Sequence, residues 1–238
     1  MRKQESINML SFYDNLLLRI GSNHRASHFS GRLASRIIPV AGGQFIMHKR
    51  FLDIPTQLET ETLIVRKFEK GDGADLLGLL NRNNNREILR EAADEVNDIK
   101  TLDEAEIDVR KHAAEWESGE RFVMGIWLKS TNEYVGQIWV EPEKWEVPSF
   151  ELGYYIDQGY TQRGIATEAA RRTLKFLFED LKAHKVIITT NEANERSWKL
   201  AERLGFTREG HHRDSGIENG KRWSLYYYGM LKSEFESA

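Results

Sequence analysis

Apolar and polar residues along this chain fall into two rhythms. Phe150, Leu152, Tyr154 and Ile156 alternate strictly with Glu151, Gly153 and Tyr155. A period of two predicts a strand with two distinct faces. From Gly164 onward, Ile165, Ala169, Leu174, Leu177 and Leu181 fall along one side at helical spacing, which predicts an amphipathic helix. Upstream, Leu63 to Phe68 is a β-branched-rich strand candidate, and Gly71 to Leu80 a short helix carrying Leu76, Leu77, Leu79 and Leu80. Thr101 followed by Glu104 has the form of a capping box. Leu102, Ala105, Val109, Ala113 and Trp116 then share one helix face. Phe122 to Leu128 and Tyr134 to Val140 read as strands joined by the turn-prone Lys129-Ser130-Thr131-Asn132. Lys185 to Thr190 reads as a strand, Glu195 to Leu204 as a helix and Trp223 to Leu231 as a terminal strand. This alternation predicts an α/β (α+β) fold with one mixed sheet and helices on both faces.

The first 50 residues break the pattern. Arg2, Lys3, Arg19, Arg25, Arg32, Arg36, Lys49 and Arg50 face only Glu5 and Asp14. Three readings fit: a poorly ordered tail or an over-long start ahead of Met47, an Arg-rich targeting peptide, or an ordered amphipathic element at Phe12 to Ile20. The domain expectation is therefore an N-terminal extension over 1–50 and a catalytic domain over 51–238. At 238 residues, 40% hydrophobic and 30% charged, the chain has an ordinary soluble globular balance. Its net charge of −3 does not point to a nucleic-acid partner. With no cysteine, disulfides, thiol nucleophiles and thiolate metal sites are excluded. No apolar run approaches the roughly 20 residues that span a bilayer, so no membrane partner is expected.

The candidate chemistry starts at Gln162-Arg163-Gly164-Ile165-Ala166-Thr167. A glycine at a helix start leaves backbone N–H groups open to a phosphate, and the helix dipole favours the negative charge. Arg163 would add a charge-assisted contact. No Lys-Ser/Thr follows the glycine, so this is not a Walker loop, and the first glycine of a dinucleotide fingerprint is missing. Alone, such a glycine is usually just a tight turn.

In context, the chain resembles the GNAT superfamily of acyl-CoA-dependent N-acetyltransferases, and within it the RimJ/RimL branch. The resemblance runs from about Leu58 to Phe235. It is carried by Leu58-Glu59-Thr60-Glu61-Thr62-Leu63, Glu151-Leu152-Gly153-Tyr154, the Gly164-x-Ala166-Thr167-Glu168-Ala169 run, and Asn194-x-x-Ser197 followed by Leu204-Gly205-Phe206. It implies a GNAT fold: a mixed, mostly antiparallel sheet splayed at the acyl-CoA site between the 150–156 and 185–190 strands. The co-substrate is then acetyl-CoA, without a metal, held by the backbone of Gln162, Arg163, Gly164, Ile165, Ala166 and Thr167. Asn194 would contact pantetheine, or cap its helix. The oxyanion of the reaction would face backbone N–H groups near Tyr155 or Ile156. Thr161 stands where the family prefers Gln or Arg, which removes a side-chain contact and leaves the backbone ones.

Glu151 is the candidate general base, direct or through water, since a carboxylate in mid-sheet is raised in pKa by burial. Its alternative is an ion pair with a neighbouring Lys or Arg. Ala201 occupies the position where many family members carry a tyrosine acid; the resemblance to the RimJ/RimL branch implies Ser197 instead, close to the CoA sulfur, as proton donor or thiolate stabiliser, and a back-bonded helix hydroxyl is its structural alternative. His211 and His212, adjacent on a strand, would face opposite ways. Trp139, Glu141 and Trp145 lie where the branch forms its acceptor cleft. The resemblance thus implies a cytoplasmic enzyme, monomeric or homodimeric, that acetylates a protein N-terminus or a small amine. An acyl-CoA sensor without turnover is the alternative outside the enzyme class.

Overall fold

The computed structural model describes residues 37–39, 45–47, 54–89, 99–218 and 220–237. The chain divides into two units, 1–48 and 49–238. In the first, β1 (Ile37–Pro39) pairs antiparallel with β2 (Phe45–Met47). The expected element at Phe12 to Ile20 lies outside the described residues.

The second unit is built on one eight-stranded sheet. In chain order its strands are β3 (Gln57–Glu59), β4 (Leu63–Lys67), β5 (Phe122–Leu128), β6 (Tyr134–Lys144), β7 (Ser149–Ile156), β8 (Lys185–Asn191), β9 (Thr207–Glu218) and β10 (Lys221–Leu231). Their order across the sheet is β3-β4-β5-β6-β7-β8-β10-β9. Every pairing is antiparallel except β7 with β8, so the sheet is mixed and mostly antiparallel, as expected. β9, on which His211 and His212 fall as expected, carries no apolar period, because Thr207 to Glu218 is polar along both faces; pairing with β10 at the sheet edge makes it a strand.

Helices α1 (Gly73–Leu80), α2 (Asn85–Leu89), α3 (Leu102–Ser118), α4 (Ile165–Lys175), α5 (Glu195–Leu204) and α6 (Lys232–Glu236) complete the unit. α3 begins with the capping box read from Thr101 and Glu104, and ends at Gly119 in the left-handed region. Two cores follow from the sheet's two faces. One gathers Leu76, Leu79, Val109, Val123, Trp127, Tyr134 and Tyr155 around α1 and α3. The other gathers Val140, Phe150, Leu152, Leu174, Leu177, Val186, Leu200 and Ala201 around α4 and α5. α4 runs on through a π turn at Phe176–Asp180, which keeps Phe176, Leu177 and Phe178 buried. Glu168 of α4 accepts from the N–H (3.0 Å) and hydroxyl (2.8 Å) of Thr62, tying this helix to the start of β4. Among the described residues no helix is long and apolar enough to cross a membrane.

Candidate functional site

The site begins where β7 and β8 part. Their ladder consists of Ser149 with Lys185, Phe150 with Val186 and Glu151 with Ile187. Residues 152–156 of β7 and 188–191 of β8 run on without a rung, so the strands open into a gap. β7 stays paired with β6 along its length, and the Asp157 N–H donates to the Val135 carbonyl at 2.8 Å. Antiparallel alternation then turns the Tyr155 N–H toward β6 too, and turns those of Leu152, Tyr154 and Ile156 toward the gap. Of the two expected oxyanion contacts, Ile156 has an N–H on the open side. Tyr155 does not, and its side chain is buried, with its hydroxyl 3.3 Å from Tyr134 Oη and donating to Gln137 Oε1 at 3.3 Å. Tyr155 is therefore corrected from a cofactor contact to a core residue.

Past β7 the chain turns through Gln158–Tyr160 into α4. Asp157 is fully buried and pins this turn. It accepts from Arg82 Nε at 2.5 Å, Asn83 Nδ2 at 2.9 Å and the Gly159 N–H at 2.9 Å. Burial opposes its ionisation, but these donors together hold its carboxyl below the ordinary value. The Gln158 N–H donates to the buried Asn85 at 2.8 Å. Beyond this anchor, Gln162 (φ 63°) and Gly164 (φ 82°) are both left-handed, and Gln162, Arg163 and Gly164 are exposed. Gly164 is the N-cap of α4 and makes no side-chain cap bond. The first-turn N–H groups of Ile165, Ala166 and Thr167 have no intrahelical acceptor, and a Cβ placed on Gly164 would meet nothing within 4 Å. Exposed N–H donors at a helix start, with open space beside Gly164, form a geometry that can seat an anion. Arg163 does not reach across it; its guanidinium lies 4.8 Å from the Tyr160 ring centroid.

On the α5 side of the gap, Asn194 Oδ1 accepts the Ser197 N–H at 3.2 Å, so Asn194 caps α5 and leaves its amide nitrogen for other contacts. The Ser197 hydroxyl comes beside the Tyr154 phenol. Burial holds that phenol above its ordinary pKa, opposed by Ser197 and the Arg203 charge. Ala201 is fully buried. A phenol therefore does stand beside Ser197, but β7 supplies it. Sequence inspection counted Tyr154 as one more inward apolar residue, because nothing local marks its hydroxyl.

On the opposite face, Glu151 is half-buried and stands directly across from Glu141 of β6. Burial, with smaller contributions from the Glu143 and Glu141 charges, pushes its carboxyl above the ordinary value, while Thr189 of β8 pulls the other way. Trp139 lies against Gly153, where any Cβ would collide with the indole, and this accounts for the glycine in Glu151-Leu152-Gly153-Tyr154. The Arg121 guanidinium is 5.6 Å from the Trp139 ring, and its Nε is 3.7 Å from Glu141. Trp145 does not join this cleft; its ring packs edge-on against Phe150 at 5.4 Å, on the α4 face. His211 and His212 point to opposite faces as expected. His211 Nε2 is 2.7 Å from Glu192 Oε2. The His212 ring centroid is 4.2 Å from that of Tyr227, the rung partner of Thr189.

Comparison with known proteins gives a consistent picture. The sequence profile of the Acetyltransferase (GNAT) domain matches residues 62–207. YdaF of Bacillus subtilis (strain 168), provisionally named a ribosomal N-acetyltransferase, is 40% identical over 86 residues, which is 36% of this chain and 47% of that protein. A GNAT-family acetyltransferase from Bacillus anthracis superposes with a TM-score of 0.62 at 25% identity, over 75% of this chain and 99% of that one. RimL, a ribosomal L7/L12 α-N-protein acetyltransferase solved with coenzyme A, superposes with a TM-score of 0.65 at 20% identity, over 75% of this chain and 97% of that one.

Proposed function

We propose that this chain, which belongs to the GNAT family of acetyltransferases, transfers acetyl from acetyl-CoA to a primary amine, with a protein N-terminus as its preferred acceptor in the manner of the RimJ/RimL branch. The family makes it an N-acetyltransferase. The domain that does this work is the segment 51–238, with 1–50 as an extension. The observation that carries the reading is the strand gap opening beside a helix N-terminus whose N–H groups are free. The similarity to YdaF, provisionally named for a ribosomal acceptor, supports a protein as the acceptor.

In this reading the pyrophosphate rests on the backbone of Gln162 to Thr167. The pantetheine arm lies in the gap, beside the β7 N–H groups and Asn194. A neutral amine enters from the Trp139 and Glu151 face and attacks the thioester carbonyl. The oxyanion faces the Ile156 N–H, where a preorganised donor counts for most. As the C–N bond forms, Glu151 takes the proton that becomes acidic on nitrogen, directly or through one water. The C–S bond breaks, and the sulfur takes a proton from Ser197, which draws on Tyr154. Raised by burial, the phenol stays protonated at neutral pH, as a donor must. Solvent then removes the proton from Glu151 and restores that of Tyr154.

The acidic rim of Glu141, Glu143 and Glu151 favours a small polyamine or amino sugar as the second reading. A panel of free-N-terminus peptides, polyamines and amino sugars, assayed by thiol release from acetyl-CoA, separates the two. Peptide turnover with kcat/KM at least tenfold above any small amine is the expected result. Preference for the amines would replace it with the second reading, and acetyl-CoA binding without thiol release for any acceptor would make the chain a sensor. Tyr154→Phe and Ser197→Ala should each lower kcat on the order of 10²-fold with acetyl-CoA affinity kept. The double variant should be no worse than either, because the two groups act as one unit. Additive losses would separate them.

A further inference from the structure

Glu151 and Ile187 form the last rung before β7 and β8 diverge. Thr189 is the next residue of β8 on the same face, at the mouth of the gap, where no β7 residue pairs with it. Its side chain lies on the Glu151 face, and both its hydroxyl and its N–H favour the Glu151 anion. In a closed parallel ladder that N–H would be spent on the neighbouring strand. Here the β10 register turns it toward the open gap, on the side of Glu151. On its other side Thr189 is held by β10, where Tyr227 is its rung partner and carries the His212 ring at 4.2 Å.

We propose that Thr189 is a positioning residue for the acetyl-transfer reaction, holding the Glu151 carboxylate across the mouth of the gap and keeping it ionised where the amine arrives. This rests on the reading of Glu151 as the base. A carboxylate with no donor would swing toward solvent, or would gain its proton more readily beside its acidic neighbours. The charged groups around it are Glu141 and Glu143 of β6, the Arg121 guanidinium against Glu141, and the Lys185–Glu209 pair, at 2.5 Å, beyond Ile187. On the β9 side the His212 ring lies against Tyr227, the rung partner of Thr189. Of these, the two β6 carboxylates disfavour the Glu151 anion, and Thr189 acts against them.

The test uses the full chain with Thr189→Val, which keeps the shape and loses the hydroxyl donor, and Thr189→Ser, which restores it. Two readouts apply. One is the acid limb of the kcat/KM profile, with acetyl-CoA and the best peptide of the panel. The other is the Glu151 carboxyl titration in glutamate-δ-¹³C-labelled protein, its resonance identified by absence in Glu151→Gln, which needs no acceptor. Thr189→Val should move both midpoints to higher pH and lower kcat/KM on the acid limb by about tenfold, the weight of one hydrogen bond to a charged group. Thr189→Ser should return both toward the parent. If Glu151→Gln removes the limb while Thr189→Val leaves limb and titration unmoved, the positioning role is overturned and the base stands. If Glu151→Gln leaves the limb intact, the base reading fails; a moved carboxyl titration then keeps the Thr189 contact without its catalytic meaning.

Discussion

Gly164→Val lowers acetyl-CoA affinity by at least 100-fold, to the point of no measurable heat in a titration. Two separate costs produce this. Gly164 sits at φ 82°, ψ −9°, a left-handed conformation that costs an L-residue about 1–2 kcal/mol and a β-branched one more. The added side chain also enters the open space at the mouth of the anion seat, where a Cβ meets no protein atom within 4 Å. In the proposed complex the pyrophosphate occupies that space. A 100-fold loss corresponds to about 2.7 kcal/mol, within reach of displaced N–H contacts to a doubly charged group. Gly164→Ala should fall between the two, and thermal melts by circular dichroism separate loss of fold from loss of the seat. Unchanged affinity in a folded Gly164→Val would sink the phosphate assignment.

Glu151→Gln is the second large effect, and its signature is a pH profile. Burial first, and the Glu143 and Glu141 charges after it, hold the Glu151 carboxyl above its ordinary value. Below that midpoint the group is protonated and accepts nothing, so activity falls as pH falls through it and is complete above it. Glutamine removes the acceptor at every pH. It should lower kcat on the order of 10²-fold near neutrality, flatten the acid limb and leave acetyl-CoA affinity within twofold. At high pH the amine is increasingly neutral and the deficit narrows. A deficit as large at high pH as at neutral pH would reassign Glu151 to substrate orientation.

The parts of the site that were legible from the chain are those built by local chemistry. The capping box at Thr101 and Glu104 formed as read because both partners lie in one helical turn. The glycine before Ile165 took the left-handed cap because only local backbone sterics decide it. The alternation of Phe150 to Ile156 set which residues share a face, and the structure kept that division. What failed was contact between distant segments. Trp145 was grouped with Trp139 by proximity in sequence, yet the bulge between Pro142 and Lys144 sends it to the other face against Phe150. Tyr155 was offered as an oxyanion contact by proximity to Ile156; the β6 register decides which N–H faces the gap, and no count along β7 contains that register.

The sequence by itself determined the order of elements, the left-handed turn at Gly164 and the face that carries Glu151, since periodicity and backbone sterics act over a few residues. Only the tertiary structure decided where β7 leaves β8, that Tyr154 comes beside Ser197 while Ala201 is buried, and that Thr189 follows Glu151 on one face of the opening. Each of those depends on the register between strands far apart in the chain, which is settled when the two faces of the sheet bury their cores together.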